Sequence, residues 1–360
     1  MKDDSIKSKT IEWLRFFCVV AVVLIHSVGS PLDGNEVISF RYGAYDTIRI
    51  LFSEGLCRVA VPIFFLISGY LFFVRLEEWD RNIWLKKIKK RVRTLLVPYL
   101  IWNCIAICIS LLTLYTKFII KGGESPDMVA WYNGIGGLRA FWDSGVGGLP
   151  INYPLWFIRD LMVVVILTPL VFQYVKKTGI IGLIMLYLVY VLDFKVKISG
   201  FSSEGLFFFS LGAFFAIHDI DFSILFKKHW IPAMVLACPL VAVMVLTYGC
   251  NNDLWGYACR LFTLVGTVST IGIVALLFEK QRIKKHPLLS NSTFLVYAAH
   301  GIIVLPIMKF ILGKILPSNQ LGLIIRYFMA PFMTVAILVL CYNYLSKWMP
   351  KMTAILTGGR

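Results

Sequence analysis

Two residues with useful chemistry lie in the first apolar segment of the chain. Arg15 and His26 are separated by the ten apolar residues 16–25. In a helix, eleven steps of 100° put both side chains on one face, about 16 Å apart along the axis. Arginine binds phosphate in a bidentate manner, and neutral histidine takes a proton from a hydroxyl and returns it to a leaving group. The pair predicts phosphate recognition beside a proton-transfer site. The structural alternatives are an Arg15 that snorkels to lipid headgroups and a His26 that packs between helices.

Other ionisable residues also lie within apolar segments, where such groups usually face a protein interior or a water-filled cavity. His300 lies about 15 Å into the segment that starts near residue 290, and it is either catalytic or a hydrogen-bonded packing residue. Asp160 is a further catalytic candidate, next to Arg159. We expect a group of acceptor-side or supporting residues close to the external ends of their helices: Arg58, Trp156, Arg159, Arg260 and Arg326.

The composition excludes a water-soluble globular protein. Hydrophobic residues make up 58% of the 360 positions and charged residues only 16%. Apolar runs of about 17 to 25 residues are long enough to cross a bilayer as helices. The sequence predicts an all-α polytopic membrane protein with about ten such segments, near residues 11–31, 50–74, 94–116, 154–175, 178–194, 202–218, 230–249, 254–278, 290–313 and 321–346.

The distribution of basic residues predicts the orientation. The N-terminus, the C-terminus and alternate loops hold 22 of the 36 Lys and Arg residues, whereas the opposite loops hold 9. By the positive-inside rule both termini are cytoplasmic. The net charge of +16 is therefore not a nucleic-acid footprint. The eight cysteines form no CxxC pair, so we expect neither a disulfide framework nor a metal site. No convincing cleavage site follows the first segment, and we expect it to remain as a helix.

We predict a single integral-membrane domain over residues 1–360. The basic segment 75–93 is expected to lie in the cytoplasmic interface, where it either anchors the protein to anionic lipid or contributes to binding an anionic substrate. The glycine-rich loop 117–153 is expected outside, as a cover for a binding site or as a plain connector. A cytosolic anionic donor and an external acceptor would then meet in a polar passage, although the spacing alone also fits a transporter.

Six short segments, in order along nearly the whole chain, resemble the acyltransferase-3 family of bacterial membrane O-acyltransferases. The first is the basic residue, ten residues and histidine of the first helix, here Arg15 and His26. The others are FFLISGYLF at 64–72, KKRVRTLLVPYLIW at 89–102, PLWFIRDL at 154–161, FFFSLG at 207–212 and STFLVYAAH at 292–300. Many members carry a glutamate shortly after the tryptophan of the fourth-helix motif, whereas this chain has Arg159 and Asp160.

The resemblance implies a multi-pass enzyme of the bacterial inner membrane. Its cytosolic donor would be acyl-CoA, usually acetyl-CoA, with no metal, and its acceptor a hydroxyl on a cell-surface glycan or lipid-linked sugar. His26 would be the general base. The donor-binding residues would be Arg15, Ser68, Arg91 and Arg93, with the arginines on the phosphates. Whether Asp160 orients His26 or only pairs with Arg159 is open at this point.

Two alternatives to acetyl transfer follow from the same features. The arginines at the external mouth permit a larger or charged acyl group, such as succinyl, on the same fold. Ten helices lined with arginine would also suit an exporter or flippase of an anionic glycan. An exporter has no need for a proton-transfer group at the spacing of Arg15 and His26, which favours an enzyme.

Overall fold

The structure, a computed structural model, describes residues 5–28, 43–76, 78–121, 127–193, 198–250 and 253–359. Within these ranges the chain is mainly helical and contains no strand, so the all-α prediction is confirmed. Two glycines of the predicted external loop, Gly122 and Gly123, lie outside the described residues.

Fifteen α-helices are described, some of them joined by single turns of tighter or wider helix. They are α1 Ile6–Ile25, α2 Ala44–Arg49, α3 Ala60–Phe73, α4 Arg81–Arg91, α5 Val97–Lys121, α6 Met128–Gly134, α7 Trp156–Ile166, α8 Thr168–Val191, α9 Ser203–Ile217, α10 Phe222–Thr247, α11 Leu254–Glu279, α12 Pro287–Ala299, α13 Leu305–Ile315, α14 Gln320–Trp348 and α15 Pro350–Thr357. Turns of π-helix at Ile50–Gly55, Val92–Leu96 and His300–Val304 connect α2 towards α3, α4 to α5 and α12 to α13.

Seven helical stretches in the described part of the chain are long and apolar enough to cross a membrane. They are Ala44–Phe73, Arg81–Ile120, Thr168–Val191, Phe222–Thr247, Leu254–Glu279, Pro287–Ile315 and Gln320–Trp348. The protein is therefore a multi-pass membrane protein. The seven leave out α1, which has charged residues in its first turns, and α9, which has only 15 residues. The count of ten spans and the cytoplasmic position of the termini stay predictions.

Helix α8 is broken at Gly179, between two segments that the sequence analysis treats as separate spans. Gly179 has φ 55° and ψ −135°, which lie outside the helical region. Across this break the hydroxyl of Tyr174 donates a hydrogen bond to the carbonyl oxygen of Gly182, 3.0 Å away. Residues eight apart in a straight helix are separated by about 12 Å along the axis. The chain therefore bends sharply at Gly179.

Helix α1 lies inside the bundle. Its side chains Leu14, Cys18 and Val23 are fully buried, and the helix packs against α3, α11, α12 and α14. The Ser5 side chain caps its N-terminus by accepting a hydrogen bond from the amide of Ser8. This central position surrounds the Arg15–His26 face with protein on most sides.

Two glycines bring α3 and α9 into backbone contact. A Cβ on Gly69 would lie 2.1 Å from the carbonyl oxygen of Phe209, and a Cβ on Gly212 would lie 2.0 Å from that of Leu66. Small residues at a helix interface allow this close approach in membranes. The FFLISGYLF and FFFSLG segments therefore act together as one packing surface, which fixes Ser68 on α3.

Contacts between loops assign them to two opposite faces. Lys7 pairs with Asp221 before α10 at 3.6 Å, and Glu12 pairs with Lys285 before α12 at 3.3 Å. These contacts join the start of α1 to two loops that were predicted to share its side. At the other end of α1, the Lys309 amine donates to the carbonyl oxygen of Val28 at 2.9 Å. These three contacts agree with the predicted sets for the segments they join, and the division of the other loops stays a prediction.

Candidate active site

His26 and His300 come together where α1 ends and α12 gives way to a π-helical turn. His26 is the C-cap of α1, and His300 begins the turn His300–Val304. Their ring centroids are 5.5 Å apart and the ring planes differ by 24°, so the rings are stacked. The ring of Tyr153 meets His26 edge-on, with centroids 4.8 Å apart. The two histidines and the tyrosine form one site, and we call His26 and His300 the histidine pair.

The backbone of α12 fixes the proton on the His300 ring. Its Nδ1 lies 2.8 Å from the carbonyl oxygen of Tyr297 and 3.2 Å from that of Val296. Carbonyls only accept, so Nδ1 is the donor and Nε2 of the neutral ring is an acceptor. His300 is fully buried, and its Nε2 has no hydrogen-bond partner among the described residues. Such an atom is available to a bound hydroxyl.

A cavity of about 510 Å³ extends from the face that carries the start of α1. Its charged lining consists of Arg15, Arg91 and Lys285 with one carboxylate, Glu12, and its walls also carry Ser68 and Tyr297. We call it the inner cavity. The charges of Arg15 and Arg91 act on each other electrostatically, which indicates that they lie close together. Two neighbouring guanidinium groups form a site for an anion, and phosphate suits their geometry.

Three of the four predicted donor-binding residues lie in the inner cavity, and one does not. Arg15, Ser68 and Arg91 line the inner cavity. Arg93 does not line it and is exposed on the π-helical turn Val92–Leu96. Residues two apart in an α-helix point to nearly opposite sides, about 200° apart, so Arg91 and Arg93 do not face the cavity together. Sequence spacing could not show which of the two arginines points inwards.

A second cavity, also of about 510 Å³, lies on the other side of the histidine pair. Tyr153 and Gly301 form its inner end, next to His26 and His300 respectively. We call it the outer cleft. Tyr297, whose carbonyl holds His300, lines the inner cavity instead. The two histidines line neither cavity; they lie in the protein that separates the cavities, in contact with Tyr297 of the inner cavity and Tyr153 of the outer cleft.

The segment that carries Tyr153 is tied firmly to α12. The amide nitrogen of the Asn152 side chain donates to the carbonyl oxygen of Ala298 at 3.1 Å, and the Tyr297 hydroxyl donates to the carbonyl oxygen of Pro154. Asn152 is buried and lines the outer cleft. These contacts hold Tyr153 against His26.

Arg159 and Asp160 form a buried ion pair that organises the external loop. Arg159 is 4% exposed and Asp160 is 3% exposed, and the guanidinium lies 2.9 Å from the carboxylate. Arg159 also donates to the carbonyl oxygens of Trp142 and Gly148, each at 2.6 Å. In the described part of the chain Asp160 has no hydrogen bond to His26. Its observed contact is Arg159, so its predicted catalytic role stays a prediction.

The Trp142–Gly148 loop has a second attachment. Asp143 accepts hydrogen bonds from the Ser199 hydroxyl at 2.8 Å and from the amide of Gly145 at 2.9 Å. The Gly145 amide, followed by the Ser199 hydroxyl, lowers the pKa of Asp143. The Trp142 indole donates to the carbonyl oxygen of Ser199 at 2.8 Å. The loop is thus fastened from both ends.

The other residues predicted on the acceptor side are Arg58, Trp156, Arg260 and Arg326, and the three arginines contact nearby parts of the chain. Arg260 pairs with Asp193 at 2.7 Å, and Arg58 pairs with Glu54. Arg326 donates to the carbonyl oxygen of Leu316. Trp156 begins α7 and is half-buried. The structure shows Arg260 and Arg326 in contact with residues at helix ends and Arg58 paired with Glu54 on its own helical stretch, and any contact with an acceptor stays a prediction.

Sequence reasoning missed three residues of the site: Asn152, Tyr153 and Tyr297. A signal existed for Tyr297, because it lies three residues before His300 and so on the same helix face. Tyr153 directly precedes PLWFIRDL, but nothing in its spacing indicates contact with His26. No cluster of three or more His, Cys, Asp or Glu residues suited to a metal occurs among the residues that the structure describes.

Comparison with known proteins gives one family and one informative relative. The model of the acyltransferase domain family, Acyl_transf_3, matches residues 8–343. The chain is 30% identical over 377 residues to the succinoglycan biosynthesis protein ExoH of Rhizobium meliloti (strain 1021), covering 99% of this chain and 94% of that one. No solved structure gives a significant match to the chain. With a family match that runs from the first helix to α14 and encloses the histidine pair and both cavities, the chain belongs to the acyltransferase-3 family.

Proposed function

We propose that this protein transfers an acyl group from acyl-CoA, bound in the inner cavity, to a hydroxyl of a glycan in the outer cleft. The observation that carries the proposal is the position of the histidine pair between two cavities of different lining. The inner cavity has a cationic end, and the outer cleft has hydroxyl and amide groups. The name of the relative ExoH connects that protein to the biosynthesis of a glycan, which supports a glycan acceptor here.

The inner cavity suits the donor in charge and length. Arg15 and Arg91, with Lys285, would bind the phosphates of CoA at the cavity mouth. His26 lies about 16 Å further along α1 from Arg15. An extended phosphopantetheine arm covers such a distance, with the apolar walls of Val19 and Phe157 along it. The thioester would then reach the histidine pair while the nucleotide stays outside the bundle.

His26 would act as the general base. It takes the proton of the acceptor hydroxyl as the oxygen forms a bond to the thioester carbonyl carbon. The bond from that carbon to sulfur then breaks, and His26 returns the proton to the thiolate, so that the products are an ester and free CoA thiol. The Nε2 atom of His300 would accept a hydrogen bond from a second, neighbouring hydroxyl of the acceptor and so orient the sugar.

Acetyl is the expected acyl group, and succinyl is the second candidate. Two observations favour the second: the relative takes part in succinoglycan biosynthesis, and the cations Arg58 and Lys309 act electrostatically on His26. A succinyl carboxylate would meet these charges, although Arg58 is already paired with Glu54. Acetyl-CoA and succinyl-CoA in parallel assays with one purified preparation would give kcat/KM for each.

The direct test uses purified protein in detergent, acyl-CoA and a glycan acceptor, with release of free thiol and formation of glycan ester as readouts. His26→Ala should lower kcat by about a hundred- to ten-thousand-fold, the range of general base catalysis. His229→Ala, a change on α10 away from the site, is the matched control. Ester formation by His26→Ala at the wild-type rate would refute the assignment. Glycan movement across vesicles without ester formation would favour the exporter alternative.

The proposal places the protein in the bacterial inner membrane, with the inner cavity open to the cytoplasm. In a variant without native cysteines, Val146→Cys should react with an impermeant maleimide in intact spheroplasts, because Val146 is 73% exposed in the external loop. Asn82→Cys, exposed on α4, should react only after lysis. Labelling of the two positions in the opposite order would reverse the orientation.

A further inference from the structure

Helix α15 contacts two of the elements that form the inner cavity without lining the cavity itself. It packs against α12 and α5 as well as against α14. The cavity lining includes Ser290 and Asn291 from α12, and Leu95 from the π-helical turn that leads into α5. Arg91, the last residue of α4, lines the cavity four positions before Leu95. Helix α15 can therefore act on a bound donor only through the elements that it contacts.

Gly358, directly after α15, lies against the backbone of the π-helical turn Val92–Leu96. Gly358 is buried and has φ 70°. A Cβ on Gly358 would lie 2.3 Å from the carbonyl oxygen of Thr94, whereas real Cβ atoms keep at least 3.0 Å from such an atom. A side chain at this position would therefore push the two backbones apart by about 0.7 Å, the difference between 3.0 and 2.3 Å. Thr94 directly precedes Leu95, so this displacement reaches the cavity wall.

A hydrogen bond attaches the same end of α15 to α5. The indole nitrogen of Trp102 donates to the carbonyl oxygen of Leu356 at 3.0 Å. Trp102 is 6% exposed, and Leu356 packs against the hydrophobic core. Loss of one partner from a buried hydrogen bond leaves the other unsatisfied, which is costly. The end of α15 is thus held at two points, on α5 and on the turn before it.

Helix α4, which carries Arg91, has few other attachments. None of its residues is buried. Trp84 donates to the hydroxyl oxygen of Thr168 at 3.0 Å, and Lys87 donates to the carbonyl oxygen of Phe72. Both contacts lie at least one helical turn before Arg91. The direction of the Arg91 side chain therefore depends on the turn that follows it, which is the turn that Gly358 contacts.

We propose that α15 and Gly358 are a positioning element of the donor site, which holds the π-helical turn so that Arg91 and Leu95 face the inner cavity. This inference rests on the proposed function and assigns a role in it to residues outside the cavity. A guanidinium binds phosphate through two parallel hydrogen bonds, so a displacement of less than 1 Å weakens the contact. His26 lies at the other end of α1 from the start of the donor site. Gly358 thus sets the affinity for the donor and leaves the transfer step unchanged.

The test compares two neighbouring glycines. Gly358 and Gly359 have φ of 70° and 71°, so alanine is strained at both positions. Gly359 is exposed, however, and a Cβ there would have no atom within 4 Å. The assay measures KM and kcat by thiol release from acetyl-CoA or succinyl-CoA, whichever the wild type uses, and Kd for CoA by calorimetric titration. Gly358→Ala should raise KM and Kd about tenfold with kcat within about twofold, and Gly359→Ala should match the wild type.

A double variant tests whether the effect passes through Arg91. Arg91→Ala has no guanidinium to displace, so the addition of Gly358→Ala should raise KM by less than about twofold further. Loss of folded protein alone would lower the measured kcat in both backgrounds and leave KM unchanged. The split between KM and kcat therefore separates positioning from a purely structural role.

Trp102→Phe provides a milder perturbation for the case that Gly358→Ala yields too little folded protein. It keeps an aromatic ring on α5 and removes the donor to Leu356. It should raise KM about threefold and leave kcat unchanged, since one buried hydrogen bond is lost. Trp348→Phe, on a residue of α14 that is 73% exposed, is the matched control and should leave both constants unchanged.

The proposal is overturned if Gly358→Ala and Trp102→Phe give the same KM and the same Kd for CoA as Gly359→Ala and Trp348→Phe. It is also overturned if the effect of Gly358→Ala on KM is as large in the Arg91→Ala background as in the wild type. A wild-type protein that neither binds CoA nor releases thiol would instead overturn the proposed function itself.

Discussion

Removal of the charge of Asp160 should destabilise the protein strongly, because Asp160 neutralises a guanidinium that is almost fully buried. Arg159 is 4% exposed and lies 2.9 Å from the Asp160 carboxylate. Loss of one partner from a buried ion pair costs about 3 to 5 kcal/mol, since the other charge stays buried without compensation. Asp160→Asn keeps the shape and removes the charge. For a chain of this size each kcal/mol lowers Tm by about 2 °C, so Tm should fall by roughly 6 to 10 °C.

The double variant should recover most of this loss. Arg159→Met alone leaves the carboxylate unpaired and also abandons two backbone carbonyls, those of Trp142 and Gly148. Arg159→Met with Asp160→Asn leaves no buried charge. Its cost is then about 2 kcal/mol, from two lost hydrogen bonds at roughly 1 kcal/mol each. The single effects sum to about 8 to 12 kcal/mol, 3 to 5 for each unpaired charge and about 2 for the two carbonyls, so the double variant should be about 6 to 10 kcal/mol more stable than this sum predicts.

Thermal melts of the four proteins in one detergent at one scan rate provide the assay, and the scan rate matters because unfolding of membrane proteins is often irreversible. Additive shifts in Tm would refute the pairing. Ester formation measured on the same samples decides the catalytic question. If Asp160 serves only to neutralise the buried charge of Arg159, activity returns along with stability in the double variant. If Asp160 orients His26 directly, the double variant is stable and inactive.

Three further outcomes follow from the site and the packing. Arg91→Ala should raise KM for acyl-CoA at least tenfold with a smaller effect on kcat, whereas Arg93→Ala, outside the inner cavity, should leave KM unchanged in the same titration. His300→Ala should lower kcat by about tenfold, the value of one oriented hydrogen bond, and folded His300→Leu, which fills the space without an acceptor, should lose as much, whereas full activity of His300→Leu would argue for packing alone. Gly69→Ala should cost at least 1 to 3 kcal/mol in melts, because its Cβ would lie 2.1 Å from a backbone oxygen, while Gly313→Ala on α13 has open space and should cost nothing.

The sequence predicts most of the helical organisation of this protein, for a clear physical reason. In a bilayer the backbone must satisfy its hydrogen bonds within each segment, so apolar length alone indicates a spanning helix. The shared face of Arg15 and His26 also follows from helical geometry. The 10-residue spacing, the apolar runs and the charge asymmetry are local properties of the chain. Local properties are what a single sequence carries.

The meeting of His26 and His300 could not be predicted in the same way. It depends on α1 and α12 packing side by side, and no spacing rule in a single sequence indicates a contact between helices so far apart in the chain. The contacts of the outer arginines could not be predicted from the sequence either. Arg159 and Arg326 bind backbone carbonyl oxygens of loops, and every residue has such an oxygen.

The cations on the two sides of the site differ in their partners, and this difference indicates the direction of acyl transfer. On the outer side, Arg58, Arg159 and Arg260 each have a carboxylate partner, so their charge is largely neutralised locally. On the inner side, Arg15, Arg91 and Lys285 line one cavity with a single carboxylate, Glu12, which pairs with Lys285, so this lining keeps a net positive charge that an anion would neutralise. The phosphates of a CoA donor would supply that anion. Donor binding from the inner side, with transfer at His26 towards the outer cleft, is thus the direction that the electrostatics of the described residues favour.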